Sequence, residues 1–465
     1  MGAAMGRRGR KDMVKGRSAG SPKPKAGLGL ALSMPRTSVL YRAFAATSVP
    51  LVPLLIRDAR HRAAHRARLA APADLARWAR VHRDPTRPLV WFHAPSVGEG
   101  LQARAVIDAL RAVRPDVQLV YTHFSPSAES FAASLAADWD GYLCYDRTDD
   151  VERMLTAAAP DLLVFTKLDL WPELATRAAA RGTRLAMAAA TVSAASGRLK
   201  WPARQLVTPG YAALDLAMAV AAVDAERLEY LGCPRDRIAV TGDPRVDSVL
   251  QVVAAATPTD DLALPAFDPA VTLVAGSTWP EDEAIVLAAL ARVRRRHPGA
   301  RLIVAPHEPT AIHLHAIDAA ARRLGLPDPV RFSALGRGAI PAVITVDRTG
   351  VLARLYGSGA LAYVGGGWGR KGIHSVLEPA AWGRPVVIGP IDRDNRDVQM
   401  LELRGALLRL SEPDGVPQLA EAWGAWLDHP ADALVAGAAG RAALEAERGA
   451  ATRSAEMLKQ LLERR

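Results

Sequence analysis

Three stretches of this chain place small and polar residues directly after an apolar run, where a strand would deliver them to one edge of a sheet. The first is His93-Ala-Pro-Ser96-Val-Gly98-Glu99, after Leu89–Phe92. Its Ser96-x-x-Glu99 spacing fits a capping box, in which Glu99 only closes a helix start. The same spacing also sets a carboxylate at the carboxyl end of the first strand, facing the cleft expected there. The second is Gly276-Ser277-Thr278-Trp279-Pro-Glu281, where small hydroxyl residues at a helix start suit a phosphate or carboxylate, or simply an N-cap. The third is Gly365-Gly366-Gly367, then Gly372-Ile-His374-Ser375-Val376-Leu377-Glu378. Glycines after a strand let backbone N–H groups approach an anion, and Ser375 with Glu378 forms a second capping-box spacing for a helix over Ser375–Trp382.

The elements that must position these residues follow from the apolar pattern. Strands are expected at Leu89–His93, Gln118–Thr122, Tyr142–Tyr145, Asp161–Thr166, Arg184–Ala188, Leu216–Val220 and Ile238–Thr241. After a Thr-, Pro- and Asp-rich break at Ala254–Ala266, a second series runs through Thr272–Ala275, Arg301–Ala305, Val343–Val346, Leu361–Val364, Pro385–Ile388 and Leu407–Leu410. Short apolar strands alternating with helices imply parallel sheets covered on both faces. The expected organisation is a disordered basic tail (1–36), a membrane anchor with a basic segment (37–70), a Rossmann-like domain (71–254), a second Rossmann-like domain (255–430) and a C-terminal helix (431–465).

Half of the 465 residues are hydrophobic and only 5% are aromatic, so the cores should be rich in Ala, Leu and Val. The formal net charge is +11, with Lys and Arg concentrated at the front. A basic front on a near-neutral body suits an anionic membrane surface better than a nucleic acid, which would need charge spread over a folded face. Val39–Ile56 is apolar but contains Arg42, Pro50 and Pro53, short of a clean span of roughly 20 residues. An anchor that spans or lies in the membrane is expected, with the body in the cytoplasm. Two cysteines, Cys144 and Cys233, fit a reducing compartment, and no metal-binding spacing occurs.

Taken together, His93-Ala-Pro-Ser96-Val-Gly98-Glu99, the glycine triplet, Gly372-Ile-His374-Ser375, Leu377-Glu378-Pro-Ala and Gly389-Pro390 resemble the 3-deoxy-D-manno-octulosonic acid (Kdo) transferases. The resemblance implies a GT-B fold, two Rossmann-like domains facing a cleft, and transfer of Kdo from CMP-Kdo to a lipid A precursor without metal or cofactor. It implies Glu99 as catalytic base. Asp169 is then a candidate second acid, and Ser96, Lys167 and Arg245 are candidate contacts to the acceptor or a carboxylate. Lys167 and Asp169 stand where the family pattern has two Glu, Thr191-Val-Ser193 where it has Arg-Leu-Ser, and Ser375 where it has Asn. The donor side would comprise Gly276, Ser277, Thr278, Ala305, Pro306, His307, Gly350, Val351, Leu352, Gly365, Gly366, Gly367, Gly372, His374, Ser375, Val376, Leu377, Glu378 and Asn395. Val351 lacks the carboxylate of the family's Glu, which leaves backbone contact there. The rival expectations are a GT-B enzyme using a UDP-sugar and a membrane-bound scaffold without catalysis.

Overall fold

The protein is described here from a computed structural model covering residues 36–256, 268–336, 340–369, 371–392 and 395–464. The expected basic tail and most of the expected break at Ala254–Ala266 lie outside the described residues.

The apolar runs form two seven-stranded sheets, each parallel throughout. The first contains β1 (Leu89–His93), β2 (Gln118–His123), β3 (Trp139–Tyr142), β4 (Leu162–Thr166), β5 (Arg184–Ala190), β6 (Leu216–Ala219) and β7 (Ile238–Val240), in the order β3-β2-β1-β4-β5-β6-β7. The second contains β8 (Thr272–Thr278), β9 (Arg301–Pro306), β10 (Val330–Arg331), β11 (Val343–Thr345), β12 (Leu361–Val364), β13 (Val386–Ile388) and β14 (Leu407–Arg409), in the order β10-β11-β9-β8-β12-β13-β14. Strand order reverses between β1 and β4 in one sheet and between β8 and β12 in the other. A crevice opens at the carboxyl ends of strands at such a reversal. The sequence stretches singled out above follow β1, β4, β8 and β12, so both reversals carry them.

The third strand is Trp139–Tyr142, not Tyr142–Tyr145. It lies at a sheet edge, so its own residues are half polar. The apolar Leu143–Tyr145 is buried as a loop beneath the helix Ala59–His82, which sends Ala64, Ala71 and Leu75 into the same core. The two-residue β10, also at an edge, left no periodic signal.

At the front, the apolar segment is broken into a helix at Val39–Ser48, a 3₁₀ turn and a short helix at Val52–Leu55, with Pro50 and Pro53 in the first turns of the last two. No helix among the described residues is long and apolar enough to cross a membrane. Tyr41 ties the first of these helices down by donating its hydroxyl to Asp146 at 2.6 Å. Asp146 also accepts the backbone N–H groups of Glu173 and Leu174 at 2.9 Å each, and burial pushes its carboxyl up to about 6.

The two domains are joined by two crossings. The helix Pro244–Ala255 leaves the first sheet and packs Val246 and Leu250 into the core of the second. The expected single C-terminal helix is two, Pro430–Glu447 and Ala450–Glu463, turning at Gly449 with φ +93°. The chain turns because it must return: Ala455, Leu458 and Leu461 complete the core of the first domain. Asp247 holds both crossings together, accepting the N–H groups of Gly449 and Ala451 at 2.7 Å each. Asp247→Ala would leave these two donors unsatisfied, at roughly 1–3 kcal/mol each. Urea unfolding should show a loss of about 2–6 kcal/mol; a loss below about 0.5 kcal/mol, the level of an ordinary surface change, would show that the crossings do not depend on this residue.

Candidate active site

Glu99 lies in the first turn of the helix Val97–Val113, directly after β1. The capping box that its spacing allows is not formed. Ser96 occupies the N-cap position, but its hydroxyl makes no bond to the helix backbone and donates to the Glu99 carboxylate instead. The other carboxylate oxygen receives Lys167 Nζ at 3.0 Å. Burial pushes the Glu99 carboxyl up, but the Ser96 hydrogen bond and the Lys167 charge outweigh it and hold the group below its ordinary value. Lys167 follows β4 with φ +63°, a conformation that costs a non-glycine residue on the order of 1–3 kcal/mol and that clusters at functional sites.

Asp169 has a different surrounding from the one expected of a second acid. Its carboxylate faces His93 Nε2 at 3.2 Å and accepts from Trp171 Nε1 at 3.0 Å and Arg198 Nη2 at 3.1 Å. Burial raises its carboxyl, but these donors more than compensate. With three polar partners in place, Asp169 orients the ring of His93 and the loop after β4. Arg245 is likewise committed, to Asp243 Oδ2 at 2.6 Å and to Asp397 Oδ2 at 3.0 Å across the domain boundary.

A cavity of about 430 Å³ separates the two halves here. The first domain lines it with Gly98, Leu101, Gln102, Lys167 and Thr191, the crossing helix with Arg245, Ser248, Val249, Val252 and Val253, and the second domain with Ala353, Ser375, Glu378 and Trp382. The structure thus brings Lys167, Arg245, Ser375 and Glu378 together around one space, beside the Glu99–Lys167 pair. A larger hollow of about 650 Å³ lies at the opposite, amino ends of the first sheet, by Pro88, Asp161 and Arg184. It contains none of the expected residues and lies at the wrong ends of the strands for a site in this type of sheet.

Gln102 lines the cavity and was not expected. It is 4% exposed, and its Oε1 has no hydrogen-bond partner among the described residues. A buried acceptor without a partner is uncommon in a folded protein. The i,i+3 relation to Glu99 on one helix face was the signal available in the sequence.

On the second domain the glycines act differently from expectation. The Gly365 N–H donates to Gly276 O and the Gly366 N–H to Asp282 Oδ2, each at 2.9 Å, so these two donors are already used inside the protein. A Cβ would come within 2.4 Å of Ser277 O at Gly365, 2.1 Å of Gly372 O at Gly366 and 2.6 Å of Gly389 Cα at Gly367. The triplet is needed for close backbone packing. The helix after it spans only Leu377–Ala381, with Val376 and not Ser375 at the N-cap, so Glu378 is no capping partner. Thr278 is fully buried and donates to Glu283 at 2.9 Å, and Asp282 caps the helix Pro280–Val293 through the Trp279 N–H. Ala305, Val351, Val376 and Leu377 are core residues whose side chains cannot reach a ligand. Leu352 packs close to Gly276, and Asn395 caps the helix Arg396–Leu403. Gly350 is exposed in the loop after β11, with φ +83°.

What remains facing outward at the carboxyl ends of β8, β9 and β12 is an aromatic wall. Pro306 ends β9, and the His307 ring that follows lies 4.9 Å from Trp279 and 4.4 Å from His374, both stacked. Trp279 Nε1 donates to His374 Nε2 at 3.2 Å, which fixes that nitrogen as an acceptor. Burial, reinforced by His307, depresses the His374 ring to about 4. Glu378 has no hydrogen-bond partner among the described residues, and burial pushes its carboxyl up to about 7. No group of three or more His, Cys, Asp or Glu among the described residues could hold a metal ion.

Glu378 gives a pH-dependent prediction. Its folded value is about 7 against 4.5 unfolded, so between these the native state holds the extra proton. Stability therefore falls as pH rises through this window, and the whole penalty is present above it. Glu378→Gln should raise Tm at pH 8 and leave it unchanged at pH 4; an equal shift at both would mean that the carboxyl titrates normally.

Similarity to known proteins agrees with this arrangement. Residues 66–248 match the family model of the 3-deoxy-D-manno-octulosonic-acid transferases. The chain is 25% identical over 391 residues to the 3-deoxy-D-manno-octulosonic acid transferase of Haemophilus influenzae, covering 81% of this chain and 87% of that one. It is 28% identical over 361 residues to that of Bordetella pertussis, covering 73% and 80%. Among solved structures, a UDP-GlcNAc 2-epimerase from Neisseria meningitidis is similar with a TM-score of 0.58 at 13% identity, covering 82% of this chain and all of that one. A glycosyltransferase from Rickettsia africae is similar with a TM-score of 0.53 at 8% identity, over 82% and 100%. At such identities the two structures bear on the fold alone: two Rossmann-like domains of the GT-B type.

Proposed function

Starting from this chain's place as a divergent member of the Kdo transferase family, and hence a glycosyltransferase, we propose that it moves Kdo from CMP-Kdo to a hydroxyl of a lipid A precursor, with inversion. Glu99 takes the proton of the acceptor hydroxyl while its oxygen bonds to the anomeric carbon. The bond from that carbon to the phosphate breaks, and the phosphate leaves as CMP. The reading assigns the reaction to side chains and backbone, and no metal or cofactor enters it. The observation that carries it is the Glu99 carboxylate at the β1–β4 strand-order reversal, freed from helix capping and set beside the interdomain cavity. The aromatic wall and Glu378 supply surfaces for the nucleotide: a flat face for a base, and a carboxyl able to accept from or donate to hydroxyls.

Glu99→Gln keeps size and the Ser96 contact but cannot accept a proton. It should lower the rate of Kdo transfer by about 10²–10⁴ with CMP affinity unchanged. Near-normal turnover would remove Glu99 from the mechanism. Direct binding of CMP against UDP separates this reading from UDP-sugar chemistry on the same fold.

The acceptor of such a reaction is an anionic lipid, and the front of the chain suits its surface. Val39, Leu40, Phe44, Leu54 and Leu55 are exposed on the two short helices, followed by exposed Arg57, Arg60, Arg62 and Arg66. We read this as a peripheral contact with the cytoplasmic face of the inner membrane, in which apolar side chains enter the interface and arginines meet anionic headgroups. Replacing Leu40, Phe44, Leu54 and Leu55 by Ser should reduce binding to vesicles containing anionic lipid at least tenfold. Unchanged binding would place the contact elsewhere.

A further inference from the structure

Lys167 is the cation of the cavity wall that pairs with the proposed base itself. Its ammonium is 3.0 Å from Glu99 Oε1, and its side chain is 46% exposed toward the cleft. The other cation of that wall, Arg245, is fixed by Asp243 and Asp397. The Lys167 backbone is held at φ +63° with its N–H on Ala188 O at 2.8 Å, so the stem starts from one place while the flexible side chain can turn. A base that deprotonates the attacking hydroxyl must lie within a few ångströms of the anomeric carbon. In a 2-ulosonic acid the carboxylate is bonded to that same carbon, so an ammonium beside the base is within its reach.

We propose that Lys167 is exchanged between two carboxylates: it pairs with Glu99 in the empty enzyme and moves to the carboxylate of the donor sugar when the donor binds, which unmasks Glu99 as a base only when there is a sugar to transfer. The inference rests on the Kdo-transfer reading above. Its chemical sense is that an ion-paired Glu99 is a weak base, because the lysine charge stabilises its ionised form. Moving that charge to the ligand raises the proton affinity of Glu99 at the moment it is needed. It also protects the enzyme from binding the nucleotide product as strongly as the donor, since CMP alone offers no carboxylate. The other ionisable groups around Glu99 do not substitute for Lys167. Tyr121 on β2 interacts with Glu99 but is buried with its hydroxyl pushed up, and across the cavity stands Glu378.

The test combines calorimetry with pH profiles, on the full chain, for wild type, Lys167→Met and Lys167→Arg. Lys167→Met should weaken CMP-Kdo binding about 10–100-fold, the loss of one charged hydrogen bond, and leave CMP binding unchanged; Lys167→Arg should recover most of it. In the wild type the acid limb of kcat/KM, which reports the free enzyme, should lie at lower pH than that of kcat, which reports the complex. In Lys167→Met the limb of kcat/KM should move up to meet that of kcat, because the charge that depressed Glu99 is gone. A merely structural lysine would not move these limbs relative to each other. Coincident limbs in the wild type, unchanged CMP-Kdo affinity in Lys167→Met, or a loss confined to the KM of the lipid acceptor would each overturn the proposal while leaving Kdo transfer intact. A wild type that neither binds CMP-Kdo nor transfers Kdo would overturn both.

Discussion

The two carboxylate oxygens of Asp247, each holding a backbone N–H of the returning C-terminal segment, are the contact on which the two-domain arrangement depends. A cleft enzyme needs its halves held in register and still separate enough to admit substrate. Here the chain crosses once at Pro244–Ala255 and again at Gly449, and Asp247 fastens the second crossing to the first. Arg245, two residues earlier, adds the Asp397 pair from the other side of the same helix start. Both fastenings lie next to the cavity wall, so the same short segment sets the distance between Glu99 and Glu378.

Around that cavity, charge is arranged by what is paired and what is left open. Asp169, a candidate acid by residue type, is saturated by His93, Trp171 and Arg198, and serves to orient them. Arg245 is saturated by two aspartates. Two charged groups on the cavity wall are arranged differently: Lys167 is paired with Glu99, and Glu378 has no hydrogen-bond partner among the described residues.

The second domain shows the same economy in its backbone. The glycine triplet after β12 packs against Ser277, Gly372 and Gly389 too tightly for any side chain, and an internal carboxylate, Asp282, uses the Gly366 N–H in place of an outside anion. The surface offered to a ligand is therefore formed more by side chains, His307, His374, Trp279 and Glu378, than by the loop amides.

The sequence by itself determined the parallel two-domain plan, because strands buried on both faces are written as short apolar runs and helices must lie between them. It also determined which loops matter, since glycines, hydroxyls and a carboxylate directly after those runs fall at carboxyl ends. It missed Trp139–Tyr142 because an edge strand is half polar, and Gly449 because an Ala-rich helix and its interruption share one composition. Only the tertiary structure decided what each polar residue does. Ser96-x-x-Glu99 and Ser375-x-x-Glu378 have the same capping spacing, and neither forms a cap: one carboxylate is turned aside by Lys167 from 68 residues away, and the other lies inside a helix that starts later than the spacing implies, with Val376 at its N-cap. Glu99 as base and Asp169 as a second acid are both carboxylates placed directly after a strand. The number of donors that long-range packing brings to each carboxylate separates them, and that number is a property of neighbours distant in sequence, which local spacing cannot encode.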